Sequence, residues 1–203
     1  MIRLKNLERR YPLGKEKFFV LANNAQIMNS KVLWIALGCA AAVSALSAEE
    51  TESSKALGQI KSLIGNWSGT FQWTGGRNDS GSMNANYYVT GNGSAVVENL
   101  TNESTPVMTS VYHLDGRDLR MTHFCGAQNQ PRLKAHRIDL DHGAIDFEFV
   151  DATNLRSPDA PHVHGLEIRL IDANHLTLTF LFQSGSVESR EDINLKRAET
   201  RPS

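Results

Sequence analysis

The stretch richest in chemistry runs Thr122-His123-Phe124-Cys125-Gly126-Ala127-Gln128-Asn129-Gln130-Pro131-Arg132. A histidine and a cysteine two residues apart on an extended chain share a face, so His123 and Cys125 are expected to look into one enclosed space. The amides that follow form a loop with the Arg132 guanidinium, a set of donors and acceptors suited to a polar or anionic head group. Asn129, Gln130 and Arg132 are therefore expected to gate the mouth of a binding site. The same residue types also serve as hydrogen-bonded core and loop satisfiers.

Two more histidines repeat the spacing in Pro161-His162-Val163-His164-Gly165. If the segments met, three imidazoles and one thiolate would suit Zn²⁺ or Cu²⁺. Nothing in the order of residues makes them meet, so His162 and His164 stand only as an alternative metal pair. Direct Cys125 and His123 nucleophilic chemistry is disfavoured, because same-face neighbours on a strand lie about 6 to 7 Å apart. Carboxylates such as Glu191-Asp192, and Asp139 with Asp141, fall where solvated faces and turns are expected. No Gly-x-Ser-x-Gly elbow, phosphate loop or dinucleotide glycine pattern occurs. No catalytic residue is assigned, and a binder is expected rather than an enzyme.

These residues must be held by strands. After Gly65, short β-rich runs alternate with Gly, Asn and Asp turns as far as Arg197, without a repeat period. Asn84 to Thr90 and Ser94 to Leu100 flank Gly91-Asn92-Gly93; Met108 to Leu114 and Arg117 to Phe124 flank Asp115-Gly116, a strong hairpin signal. Pairing Leu114 with Arg117 would set Tyr112 against Leu119, Ser110 against Met121 and Met108 against His123. Tyr112, Met121 and His123 would then share the inner face. Ala144 to Val150 alternates as a half-buried strand, Leu166 to Ile171 and Leu176 to Phe182 form another hairpin, and Val187 to Lys196 supplies the last strand. Eight or more such strands predict an all-β fold, an antiparallel up-and-down barrel, since closure removes exposed edges. Leu57, Ile60, Leu63 and Ile64 predict a short helix in front of it.

Charge separates a head from the barrel. Of 203 residues, 1–48 carry a net +5 and 49–203 a net −6. A mildly acidic domain without a basic stripe makes a poor nucleic-acid partner. Met28 to Lys31, the apolar run Val32 to Leu46 and the small residues Ala45, Ser47 and Ala48 have the order of a secretory signal peptide. At about 15 residues the run is shorter than the ~20 that span a bilayer, so stable membrane insertion is not expected. The expected division is a non-native or disordered extension at 1–27, a signal peptide at 28–48, a polar tether at 49–56, the barrel at 57–197 and a tail at 198–203. The product would be periplasmic or secreted. Cys39 would leave with the signal peptide, and Cys125 would stand alone.

Gly65-Asn66-Trp67, at the start of the first strand, resembles the Gly-x-Trp signature of lipocalins and other calycins. The resemblance implies that Trp67 closes one end of the barrel, with an Arg from the last strand, here Arg197, over its indole. The span from Leu57 to Arg197 also resembles a group of uncharacterised bacterial lipocalin-like proteins. The stretches that carry this likeness are Tyr112-His113-Leu114-Asp115-Gly116, Met121-Thr122-His123-Phe124-Cys125, Asn129-Gln130-Pro131-Arg132 and Phe147 to Asn154. This implies a calycin-like barrel and no defined activity. Nitrobindin-like haem proteins are more distantly similar. They carry Gly-x-Trp-x-Gly-x-Gly, whereas Phe71 stands at the last glycine here and the last strands lack a histidine, so no cofactor is expected. The resulting expectation is an exported barrel whose lumen binds a small, partly apolar molecule. The alternatives are a metal-dependent protein or enzyme using His123, Cys125, His162 and His164, and a structural envelope protein with a filled lumen.

Overall fold

The computed structural model describes residues 50–199; the expected extension and signal peptide lie outside them. The chain opens with α1 (Glu52–Lys61), earlier than the expected tether allows. Thr51 Oγ1 accepts the Ser54 N–H at 3.1 Å, Glu52 lies in the first turn and Lys61 in the last, and Ala56, Leu57 and Ile60 are buried. The cap and the apolar stripe outweigh the polar composition of the segment.

Ten strands follow: β1 (Gly65–Gly75), β2 (Ser80–Thr90), β3 (Ala95–Asn102), β4 (Thr105–Asp115), β5 (Asp118–Phe124), β6 (Gln130–Asp139), β7 (Ala144–Thr153), β8 (His162–Asp172), β9 (His175–Ser184) and β10 (Val187–Arg197). Each pairs antiparallel with its neighbours in the chain, and β10 returns to β1 from Trp67↔Arg197 to Gly75↔Ser189. The result is the closed up-and-down barrel that the hairpin series predicts. No helix among the described residues is long and apolar enough to cross a membrane.

Two local expectations change. The β4–β5 register pairs Asp115 with Asp118, Leu114 with Leu119, Tyr112 with Met121 and Ser110 with His123. Gly116 and Arg117 form the two-residue turn, with Gly116 at φ +61° where a side chain would be strained. The shift from the expected pairing is two residues, so every side chain keeps its face. The second change is β6, whose first residues Gln130, Pro131 and Arg132 belong to a strand rather than a loop. Pro131 and Leu133 are buried while Arg132 points outward, and the proline is tolerated because β5 and β6 pair over only three residues.

The helix end of the barrel is closed. Trp67 is 1% exposed and its indole N–H donates to Leu63 O at 2.8 Å. The Arg197 guanidinium lies 4.3 Å from the indole centroid and donates to Ser62 O, Ile64 O and Ala173 O at 2.9 to 3.0 Å, tying α1 and the β8–β9 turn to the last strand. Above this floor the lumen is packed by side chains including Leu100, Tyr112, Met121, Leu133 and Leu166. Trp73, six residues along β1 and therefore about 20 Å away, marks the other end.

Candidate functional site

Within the packed lumen, one row of directly opposed residues crosses four strands: Tyr87↔Glu98↔Ser110↔His123. Opposed residues project to the same side, so an inward Val96 and Leu100 bring Glu98 inward with them. Glu98 Oε2 accepts from Tyr87 Oη at 2.7 Å and Tyr112 Oη at 3.0 Å, and Oε1 accepts from Ser110 Oγ at 3.1 Å. Ser110 Oγ lies 3.0 Å from His123 Nδ1.

Burial raises the Glu98 carboxyl above its ordinary range, while the three hydroxyls pull it back. Burial pushes His123 down to about 3 and keeps the ring neutral. Ser110 has a single proton, so the protonation of Glu98 sets the direction of the chain. An ionised Glu98 accepts the hydrogen bond of the Ser110 hydroxyl, and Ser110 Oγ accepts from His123 Nδ1–H. A protonated Glu98 reverses both bonds and moves the imidazole proton to Nε2. In either state Nε2 lacks a partner among the described residues.

The His123 ring packs 5.0 Å from Phe180 at a tilt of 38°, and Phe180 forms part of a cavity at the open end. That cavity holds about 220 Å³, with Trp73, Met108, Val163, Phe180 and Phe182 as its apolar walls and Arg77, Cys125 and Glu191 as its polar ones. It adjoins a wider depression of about 440 Å³ that shares Trp73, Arg77, Met108 and Glu191 and adds Asp79 on the rim. Trp73 is opposed to Glu191, and Glu191 to Phe180.

Glu191 is only 3% exposed and its Oε2 has no hydrogen-bond partner. Burial pushes its carboxyl up to about 7 and Asp79 adds to this, while Arg77 and a hydrogen bond from Trp73 oppose the rise. Arg77 does not close on the carboxylate; its guanidinium stacks 3.9 Å from the Trp73 ring centroid.

A pH prediction follows. Below its ordinary 4.5 the Glu191 contribution to stability is fully present, and it is lost as pH rises toward 7. His123 runs the other way: its contribution is present above 6.5 and lost as pH falls toward 3. The two slopes offset one another only where the windows overlap, between pH 4.5 and 6.5. Glu191→Gln removes one of them, so the variant is expected to exceed the parent by ~2 to 3 kcal/mol at pH 8 and to match it near pH 4.5. Urea unfolding at the two pH values measures this, and equal stabilities at pH 8 contradict a buried, unpaired carboxylate.

Of the residues singled out by sequence, Tyr112, Met121 and His123 are interior but lie in the packed lumen, below the cavity. Cys125, just past β5, lines the cavity half-buried, with its thiol raised by burial. The mouth residues take other posts. Asn129 is buried and donates to Pro161 O at 2.7 Å; Gln130 Oε1 accepts from Thr153 Oγ1 and Asn154 Nδ2; Arg132 forms a two-pronged pair with Asp151 at 2.5 Å on the outer wall. These bonds fasten loops and strands to one another.

The His162 ring packs 5.0 Å from Phe149 at a tilt of 51°, with Nδ1 2.7 Å from Ala160 O. His164 sits in a bulge between Val163 and Gly165, with its ring pushed toward neutrality by burial. Among the described residues no three His, Cys, Asp or Glu converge, so the proposed His123, Cys125, His162 and His164 set does not assemble. His175 does open β9, against the expectation of no late histidine, but it is bound to Asp172 at the exposed hairpin.

Glu98 and Glu191 escaped the sequence reading, although both share parity with apolar neighbours: Val96 and Leu100 for the first, Ile193 and Leu195 for the second. Glu191 was expected on a solvated face. It points inward because a strand alternates strictly, and its outward neighbour Asp192 takes the wet side with Arg190.

No family description matches the chain, and no curated protein is similar to it. Among solved structures it is similar to a protein of unknown function of the DUF3598 family from Nostoc punctiforme, at 15% identity and TM-score 0.49 over 68% of this chain. The chain spans about half that protein's length, 49%. It is also similar to Rv2717c from M. tuberculosis, at 15% identity and TM-score 0.46, covering 71% of this chain and 98% of that one. The assignment of a closed barrel rests on the strand pairing itself.

Proposed function

We propose that the protein is an exported barrel that binds a small, partly apolar molecule in its open-end cavity, the apolar body against Met108, Val163, Phe180 and Phe182 and the polar head at Glu191. One observation supports this reading above the rest: Glu191, a residue that lines the apolar cavity, has a buried carboxylate oxygen with no hydrogen-bond partner, a cost that a ligand's donor would remove. The volume is adequate, since an apolar cavity of about 150 Å³ takes in benzene. Export rests on the Met28 to Ala48 segment, and an intact mass beginning near Glu49 is expected for the protein recovered outside the cytoplasm.

Ligand-observed NMR with indole and toluene tests the binding reading. Saturable uptake by the parent is expected, and Met108→Trp, which fills the cavity, should lose it. Uptake of neither probe by the parent would leave the second reading, favoured by the packed lumen, that the barrel is a filled structural module.

A further inference from the structure

The ligand's chemical class can be taken further, on the assumption that the open-end cavity is the binding site. Three charged groups line the cavity and its adjoining depression: Glu191 at the cavity wall, Arg77 over Trp73, and Asp79 on the rim. Cys125, just past β5, is the remaining titratable side chain lining the cavity, and its burial keeps it a neutral thiol. With Glu191 ionised, the carboxylates outnumber the cation by one.

The Arg77 guanidinium lies on the Trp73 face, where its charge lowers the Glu191 carboxyl without bonding to it. What the cavity lacks is a donor for Glu191 Oε2, the buried oxygen with no partner. An anionic head would meet this carboxylate in a poorly solvated space, which disfavours acids such as fatty acids. A neutral hydroxyl would satisfy the oxygen without balancing its charge. An ammonium or amidinium does both, because a charge-assisted hydrogen bond in a desolvated site is about twice as strong as a neutral one.

We propose that the cavity selects a small organic cation, a primary amine or amidine on an apolar body, whose N–H donates to Glu191 Oε2 while the body rests on Phe180, Phe182 and Trp73. The bound cation holds Glu191 ionised, so affinity climbs with pH through neutrality and levels off once the free carboxyl has lost its proton.

The test compares benzylammonium with benzyl alcohol, of the same shape but uncharged, by calorimetry at pH 6 and 8. It uses the full barrel and its Glu191→Gln variant, with indole uptake and a thermal melt recorded for each. Benzylammonium is expected to bind the parent at least tenfold more tightly than the alcohol at pH 8 and severalfold more weakly at pH 6. Glu191→Gln should erase both the preference and the pH dependence while it still melts cooperatively and takes up indole. Equal binding of the two probes, or a preference that survives in Glu191→Gln, overturns the cationic class and leaves the cavity reading intact. Failure of the parent to take up either probe and indole overturns the cavity reading, and the cation proposal with it.

Discussion

Glu98→Ala is expected to lower the unfolding free energy by ~3 to 5 kcal/mol. The substitution strips the acceptor from Tyr87 Oη and Tyr112 Oη, both fully enclosed, and opens a void beside them. Each buried hydroxyl left without a partner costs about 1 to 3 kcal/mol, and the void adds to that. For a domain of this size the melting temperature should fall on the order of 10 °C.

Glu98→Gln keeps a carbonyl acceptor and should cost far less. The triple variant Glu98→Leu, Tyr87→Phe, Tyr112→Phe removes the acceptor with two of its three donors, leaves Ser110 to donate to His123 Nδ1, and is expected to recover most of the loss, since replacing both partners with apolar groups is nearly neutral. Thermal and urea unfolding of the three proteins gives the comparison. A Glu98→Ala protein as stable as the parent would mean that the hydroxyls find other acceptors or water, and that the row is not the closed polar network described.

Trp67→Ala should be comparably severe, ~3 to 5 kcal/mol for a buried tryptophan. It removes the indole that plugs the closed end, the N–H donated to Leu63 O and the surface under the Arg197 guanidinium. Helix α1 hangs on that contact, so its amides are expected to lose hydrogen-exchange protection beyond the global change. Arg197→Lys keeps the charge but cannot reach three carbonyls at once, and should cost ~1 kcal/mol. A double-mutant cycle of Trp67→Ala with Arg197→Ala isolates the stacking energy, expected near 0.5 to 1 kcal/mol. An unchanged melt for Trp67→Ala would contradict its role as the floor of the barrel.

Alternation and turn chemistry made most of the barrel legible. Gly91-Asn92-Gly93 and Asp115-Gly116 announced their hairpins, and the alternation of Ala144 to Val150 matches a strand that buries Ile145 and Phe147. Strand β6 was hidden because Gln130-Pro131-Arg132 has loop composition; a narrow ladder with β5 makes the proline tolerable there, and only the neighbour's length reveals that. Faces were readable and pairs were less so, since a two-residue slip leaves the pattern of exposed and buried side chains unchanged. The site was hardest to read. Carboxylates at 98 and 191 carry the compositional mark of solvent, and their inward parity gains meaning only when the tyrosines or the indole that meet them come from other strands.

The row Tyr87, Glu98, Ser110, His123 also bears on how the barrel finds its shear. Apolar alternation rejects a slip of one residue, because that would turn the core to water, but it scarcely distinguishes slips of two. A two-residue slip of β3 would set Glu98 against Ala85 or Val89 on one side and Tyr112 or Met108 on the other. One side, at least, would then offer it no hydroxyl in register, and a carboxylate would be enclosed with too few donors. The polar row thus acts as an index mark across four adjacent strands, penalising misaligned closures that hydrophobic packing alone would accept.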